Sequence, residues 1–155
     1  MNDKLTIGDA APEFDMETTQ GQRSLESYKG RYLVVYFYPK DSTPGCTTEA
    51  QDFSALTAEF NKLGADILGV SKDSMKRHEN FTAKNELTFP LGVDANGDVC
   101  DAYGVWAEKK LYGKVYMGIV RATFLIAPNQ SIIKIWPKVK VKGHANEVLD
   151  YLKNQ

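Results

Sequence analysis

Several residue types that mark other classes of protein are scarce in this chain. Its 155 residues include two cysteines, Cys46 and Cys100, and two histidines, His78 and His144. Two cysteines are too few for the disulfide framework of a small secreted domain, and they suit a reducing compartment. The four residues also lack the close spacing of zinc ligands, so we expect no metal site.

The chain also lacks an excess of charge and a long apolar run. It has 19 basic and 20 acidic residues, so we expect no nucleic acid as partner. No apolar stretch approaches the length that spans a bilayer, and we expect no membrane partner. The segment Met1–Thr6 shows no apolar core of a signal peptide, which favours a cytoplasmic location. The length favours a single domain over residues 1–155.

The order of predicted elements indicates the class of fold. The first half predicts an extended N-terminal arm, a small hairpin turning at Gly21-Gln22, strands at 32–38 and 65–71, and helices at about 47–63 and 75–85. The second half predicts a strand at 89–93, a short helix at 98–103, an irregular region at 104–119, a hairpin of strands at 122–126 and 131–136, and a helix from about 145. The first two long strands should be parallel, because a helix joins them. This order predicts an α/β, thioredoxin-like fold, a central mixed β-sheet flanked by helices with an N-terminal hairpin extension.

The most informative segment is Pro39–Cys46, directly behind the apolar run at 32–38. The run predicts a buried strand that Pro39 ends, and Pro44-Gly45 predicts a turn. Apolar residues at helical spacing follow in the segment 53–63. Cys46 is therefore expected in the first turn of a helix, where unpaired N–H groups and the helix dipole favour a thiolate over a thiol. The sequence predicts a reactive sulfur at this position.

The same segment resembles a known family. The pattern Pro39-x-x-x-Thr43-x-x-Cys46 is similar to the active-site motif of the peroxiredoxins. The longer string Tyr-Pro-Lys-Asp-Ser-Thr-Pro-Gly-Cys-Thr-Thr-Glu is similar to that of the bacterioferritin-comigratory-protein (PrxQ) branch. Four more segments resemble this branch, at 8–14, 98–106, 118–125 and 141–145. The resemblance covers nearly the whole chain.

The resemblance implies a thiol-dependent peroxidase that reduces hydrogen peroxide and small alkyl hydroperoxides and needs no cofactor. Cys46 is then the peroxidatic cysteine, whose thiolate attacks a peroxide oxygen and becomes a sulfenic acid. The Thr43 hydroxyl is expected to face the sulfur and the peroxide, and Pro39 to shield the sulfur from water. Arg121 is expected to supply the positive charge that stabilises the thiolate and orients the peroxide.

Two further groups are expected around the bound peroxide. The backbone N–H groups of Gly45 and Cys46 are candidate donors to it, and Glu49 is a candidate for positioning Arg121. Simpler interpretations exist for some of these residues. Thr43 is also a typical N-cap residue, Glu49 suits the first turn of a helix, and Arg121 suits a surface ion pair.

The residue that regenerates the thiol is not where the branch usually has it. Many members carry a resolving cysteine five residues after the peroxidatic one, which is Gln51 here, and others carry it on the next helix, where this chain has Thr82. Cys100 is the remaining candidate for a resolving cysteine, and we expect it to be a buried structural thiol. The departure favours a one-cysteine cycle, in which thioredoxin, or glutathione with glutaredoxin, supplies the external thiol.

Two other functions stay open at this point. A thiol–disulfide transferase of thioredoxin-like fold usually carries Cys-x-x-Cys or Cys-x-x-Ser, whereas Thr-Thr-Glu follows Cys46. A non-catalytic redox sensor or holdase would use Cys46 only as a switch and would need a defined partner surface. The resemblance also implies a monomer, which is common in this branch.

Overall fold

The computed structural model describes residues 5–155, so the first residues of the predicted arm lie outside the described part. The strands are β1 Asp15–Thr18, β2 Gly21–Ser24, β3 Tyr32–Phe37, β4 Ala65–Ser71, β5 Leu91–Val93, β6 Trp106–Leu111, β7 Lys114–Ile119, β8 Ala122–Ile126 and β9 Ile132–Trp136. The helices are α1 Pro44–Lys62, α2 Met75–Asn85, α3 Asp98–Ala102 and α4 His144–Lys153, with a 3-10 turn at Leu25–Tyr28. Among these residues, every helix is too short or too polar to cross a membrane.

Seven strands form one mixed sheet in the order β2-β1-β5-β4-β3-β8-β9. The central strand β3 pairs in parallel with β4, where Val34 lies opposite Ile67, and β4 pairs in parallel with β5. On its other edge β3 pairs antiparallel with β8, where Leu33 lies opposite Ile126. The predicted parallel strands and the predicted thioredoxin-like fold are both confirmed.

The sheet separates two hydrophobic cores, because successive side chains of a strand point to opposite faces. On one face Leu33, Val35 and Phe37 of β3 pack with α3 and with residues of the N-terminal segment. On the other face Val34, Tyr36 and Tyr38 pack with α1, α2 and α4. Cys100 belongs to the first core and Cys46 to the second, so the sheet lies between the two sulfur atoms.

The boundaries of α1 follow from its end residues. The turn predicted at Pro44-Gly45 is instead the first turn of the helix, which begins at Pro44. Proline is tolerated there because the first N–H groups of a helix have no partner within it. Leu63 is the C-cap, and Gly64 follows with a positive φ of 77°, a conformation that glycine adopts without strain.

Two further predictions are wrong, one about an irregular region and one about a turn. The region 104–119, predicted to be irregular, forms the two-stranded hairpin β6–β7. Its two turn residues, Tyr112 and Gly113, have φ values of 51° and 76°, and positive φ at both central positions is the property of a type I′ turn. In the N-terminal hairpin, Thr18 pairs with Gly21, so the turn is formed by Thr19 and Gln20, two residues before the predicted Gly21-Gln22.

Candidate active site

Cys46 lies in the first turn of α1, just beyond the end of β3 in the chain, and its exposed fraction is 1%. The first main-chain bond at this end of α1 runs from Thr47 N to Thr43 O over 2.9 Å. The N–H groups of Gly45 and Cys46 come before Thr47 in the chain. A helix would pair them with carbonyls four residues earlier, and these carbonyls lie outside α1. Within the described residues, the N-cap Thr43 makes no side-chain bond to the first turn. Both amides are therefore available as donors beside the sulfur.

Arg121 connects the sulfur to a buried carboxylate. It lies between the end of β7 and the start of β8, and its Nη2 donates to Cys46 Sγ over 3.4 Å. Its Nη1 donates to Glu49 Oε1 over 2.6 Å. A Cβ atom at Gly45 would lie 3.2 Å from Arg121 Nη2, so the glycine leaves the space that the guanidinium occupies. The structure thus brings together four of the sequence-predicted site residues.

Burial and opposite charge act on the Glu49–Arg121 pair in different directions. Burial raises the pKa of Glu49 to about 7, although the charge and hydrogen bond of Arg121 oppose the rise and Asp52 adds to it. Burial acts to lower the pKa of Arg121, but Glu49 and Cys46 outweigh that effect, and the pKa of Arg121 is raised. Arg121 is therefore a permanent cation, whereas Glu49 changes its charge near neutral pH.

Thr43 and Pro39 lie in the loop that leads from β3 to α1. The Thr43 hydroxyl donates to the carbonyl of Lys40 over 2.8 Å. The hydroxyl hydrogen of Thr43 thereby points to the Lys40 carbonyl, and the hydroxyl oxygen can still accept a hydrogen bond. Pro39 is half-buried at the start of the same loop.

Lys109 is a further cation near the site that sequence reasoning missed. Burial lowers the pKa of Lys109, Arg121 lowers it further, and Cys46 opposes them, so Lys109 is within electrostatic range of both. Its Nζ donates to the carbonyl of Ile119 over 2.9 Å, just before Arg121 in the chain. No motif indicates this position, because it depends on the β6–β7 hairpin that the sequence did not reveal.

Cys100 has the features of an unreactive thiol. Its exposed fraction is 0%, and its backbone N–H donates to Asp94 Oδ2 over 2.8 Å. Burial, together with a hydrogen bond to Asp94 and the charge of that carboxylate, raises the pKa of Cys100 far above its ordinary value. Both cysteines are free thiols in this structure.

One group of potential metal ligands occurs within residues 5–155. The ligand atoms of Asp41, Asp73 and His78 lie within 4.8 Å of one another. Asp41 Oδ2 and His78 Nδ1 are only 2.6 Å apart, and the second Asp41 oxygen accepts from Tyr38. Asp73 accepts from the Asp41 N–H and the Ser71 hydroxyl, so hydrogen bonds account for the cluster without a metal.

Comparison with known proteins identifies the family. The model of the AhpC/TSA family matches residues 7–135. Peroxiredoxin Bcp of Xanthomonas campestris is 54% identical over 132 residues, which cover 85% of this chain and 82% of that protein. Peroxiredoxin Bcp of Bacillus subtilis is 48% identical over 151 residues, covering 97% and 96%. A structure from a study of alkyl peroxide reduction by the Xanthomonas campestris bacterioferritin comigratory protein has a TM-score of 0.87 and 49% identity, and the match covers 94% of this chain and 98% of that one.

The fold, the cysteine and these matches define the class of protein. The chain belongs to the AhpC/TSA family, the peroxiredoxins. Within this family it lies in the Bcp/PrxQ branch, and it is a thiol-dependent peroxidase, as the sequence predicted. A peroxide is its substrate and a thiol its reductant. The thiol–disulfide transferase and the redox sensor are not favoured.

Proposed function

We propose that Cys46 is the peroxidatic cysteine and that Arg121, Thr43, Pro39, Glu49 and the Gly45 backbone complete its site. The observation that carries this proposal is the contact of Arg121 with both Cys46 Sγ and Glu49 Oε1. The thiolate attacks the terminal oxygen of the peroxide, so that a sulfur–oxygen bond forms as the oxygen–oxygen bond breaks. The sulfur is oxidised to a sulfenic acid, and the leaving oxygen takes a proton and departs as water or an alcohol.

The groups around the sulfur match the charges that change in this step. The guanidinium of Arg121 and the amides of Gly45 and Cys46 are fixed donors, which stabilise the charge that develops on the leaving oxygen. The Thr43 oxygen can accept a hydrogen bond from the peroxide, since the Thr43 hydroxyl already donates its hydrogen bond to the Lys40 carbonyl. Pro39 offers no N–H that would compete for the peroxide.

We propose hydrogen peroxide and small alkyl hydroperoxides as substrates. The donors beside Cys46, which are the Arg121 guanidinium and the amides of Gly45 and Cys46, can bind the oxygen atoms that peroxides of different size share. The alkyl peroxide reduction described for the Xanthomonas campestris relative supports the extension beyond hydrogen peroxide.

The second half of the cycle is proposed to use an external thiol. Cys100 belongs to the core on the opposite face of the sheet from Cys46, and its thiol is buried and protonated. A disulfide requires Cα atoms within about 7 Å, and the intervening sheet opposes such an approach. Thioredoxin, or glutathione with glutaredoxin, would attack the sulfenic sulfur, form a mixed disulfide and release water. A second thiol then frees Cys46.

We further propose that the chain works as a single-domain monomer in the cytoplasm. One continuous sheet with a core on each face supports a single domain. Two free cysteines suit a reducing compartment. Size-exclusion chromatography with light scattering, on reduced and on oxidised protein, tests the monomer.

Stopped-flow mixing of the reduced protein with hydrogen peroxide tests the role of Cys46. Cys46→Ser should abolish peroxide consumption, Arg121→Ala should slow it, and Cys100→Ser is the matched control that should leave it unchanged. Peroxide consumption by Cys46→Ser at the wild-type rate would refute the assignment. A mass spectrum of the oxidised protein separates the two cycles, since a sulfenic acid adds one oxygen whereas an internal disulfide removes two hydrogens.

A further inference from the structure

A fully buried hydrogen-bond network lies under the loop that precedes Cys46. Asp41, in this loop, is 1% exposed, and His78, on α2, is 0% exposed. Asp41 Oδ2 lies 2.6 Å from His78 Nδ1, and Asp41 Oδ1 accepts from the Tyr38 hydroxyl over 2.5 Å. His78 Nε2 lies 2.8 Å from the carbonyl of Gly92 in β5. The network therefore joins the loop to α2 and to the sheet.

The hydrogen-bond partners determine how many protons the network holds. The Gly92 carbonyl can only accept, so His78 Nε2 carries a hydrogen. Burial raises the pKa of Tyr38, and its hydroxyl donates to Asp41. The short contact between Asp41 Oδ2 and His78 Nδ1 needs one more proton, on either atom. In both arrangements the Asp41–His78 pair has no net charge, which reduces the free-energy cost of burying it.

The network also fixes the backbone of the loop. The Asp41 N–H donates to Asp73 Oδ2 over 2.8 Å, and the Ser71 hydroxyl donates to the same oxygen over 2.6 Å. The next residue, Ser42, has a φ of 65°, a left-handed conformation that is costly for a residue with a Cβ. Such a conformation persists only where the surroundings determine it, and the side chain and amide of Asp41 supply that constraint.

We infer that Asp41 and His78 are positioning residues for the peroxidase reaction. His78 fixes Asp41 by a hydrogen bond, and Asp41 fixes the loop that leads to Thr43 and the first turn of α1. The pair therefore determines where the donors around Cys46 lie. This inference rests on the proposed role of Cys46. It adds His78, on a helix outside the catalytic motif, to the residues that the reaction requires.

Two substitutions of His78 separate positioning from packing. The amide nitrogen of asparagine can replace Nδ1, and that of the longer glutamine can replace Nε2. His78→Asn therefore retains a donor to Asp41 and loses the bond to Gly92, whereas His78→Gln retains the Gly92 bond and loses Asp41. Both replacements are neutral amides. We expect peroxide to oxidise Cys46 roughly tenfold more slowly in His78→Gln than in His78→Asn, because small displacements of catalytic donors are costly.

Two further variants supply the controls. Ser74→Ala removes the N-cap of α2, whose side chain accepts from Arg77 N, and keeps the main-chain bond from His78 N to the Ser74 carbonyl. It should lower the melting temperature and leave the oxidation rate unchanged. Tyr38→Phe removes only the hydroxyl that donates to Asp41 and should slow oxidation by roughly threefold.

The measurements are the stopped-flow rate of Cys46 oxidation and the melting temperature of each reduced protein. Equal rates in the two His78 variants, or rates that follow the melting temperature across all variants including Ser74→Ala, would overturn the positioning role. An unchanged rate in Tyr38→Phe would also overturn it if the His78 variants do not fold. If the wild-type Cys46 does not react with peroxide, it is the proposed function that fails.

Discussion

The buried glutamate beside Arg121 should contribute a stabilisation that decreases as the pH rises. Burial raises the pKa of Glu49 from an ordinary value of 4.5 to about 7. The folded protein then binds a proton at Glu49 that the unfolded chain has already released. Such a difference corresponds to about 3 kcal/mol in the free energy of unfolding. This stabilisation is present below pH 4.5 and is lost as the pH rises through 7.

Glu49→Gln removes the titration and keeps the size of the side chain. The wild-type free energy of unfolding, minus that of the variant, should fall by about 3 kcal/mol as the pH rises from about 4.5 to about 8. Denaturant titrations of the reduced proteins, at closely spaced pH values between about 4.5 and about 8, measure this difference. Glu59→Gln, an exposed glutamate on the same helix, is the matched control for losing one carboxylate.

The sign of the slope distinguishes the two forces on Glu49. If the attraction of Arg121 outweighed burial, Glu49 would ionise more easily in the folded protein, and the difference would rise with pH. A rising or flat difference would therefore refute the reasoning. The same titration predicts that the charge of Arg121 is compensated by Glu49 only above neutral pH.

Three further predictions concern the guanidinium and two glycines. Arg121→Lys offers one ammonium in place of two separate N–H groups, so Cys46 oxidation should slow roughly 10- to 100-fold in stopped-flow assays. Gly45→Ala places a Cβ 3.2 Å from Arg121 Nη2 and should slow the same reaction with little change in melting temperature; an unchanged rate would show that the guanidinium moves freely. Gly64→Ala, at φ 77° and away from the site, should cost about 1 kcal/mol in denaturant titrations and leave the oxidation rate unchanged.

Much of the fold could be predicted because its strong local signals agree with its packing. The bounds of β4 and α2 equal those predicted from residues 65–71 and 75–85. Each has a clear start and end in the sequence, such as the N-cap Ser74 before α2. In the candidate site, the spacing of Thr43 and Cys46 and the resemblance together indicated the residues that the structure brings beside Arg121.

Features that depend on tertiary contacts could not be predicted. The β6–β7 hairpin was missed because Tyr112 stands at a turn position where asparagine or glycine is the usual signal. Lys109 was missed with it. His78 gave no sign of its partner, because Asp41 is 37 residues away and only folding brings the two together.

The separation of the two cysteines by the sheet has a kinetic consequence. In the proposed cycle, the sulfenic acid of Cys46 has two bimolecular fates: an external thiol reduces it, or a second peroxide oxidises it to a sulfinic acid. An internal cysteine would end this competition at a rate independent of either concentration. Here the fraction of enzyme lost in each turnover depends on the ratio of peroxide to thiol. The amount of sulfinic acid accumulated at Cys46 would thus indicate how far the peroxide has exceeded the reducing thiol of the cell.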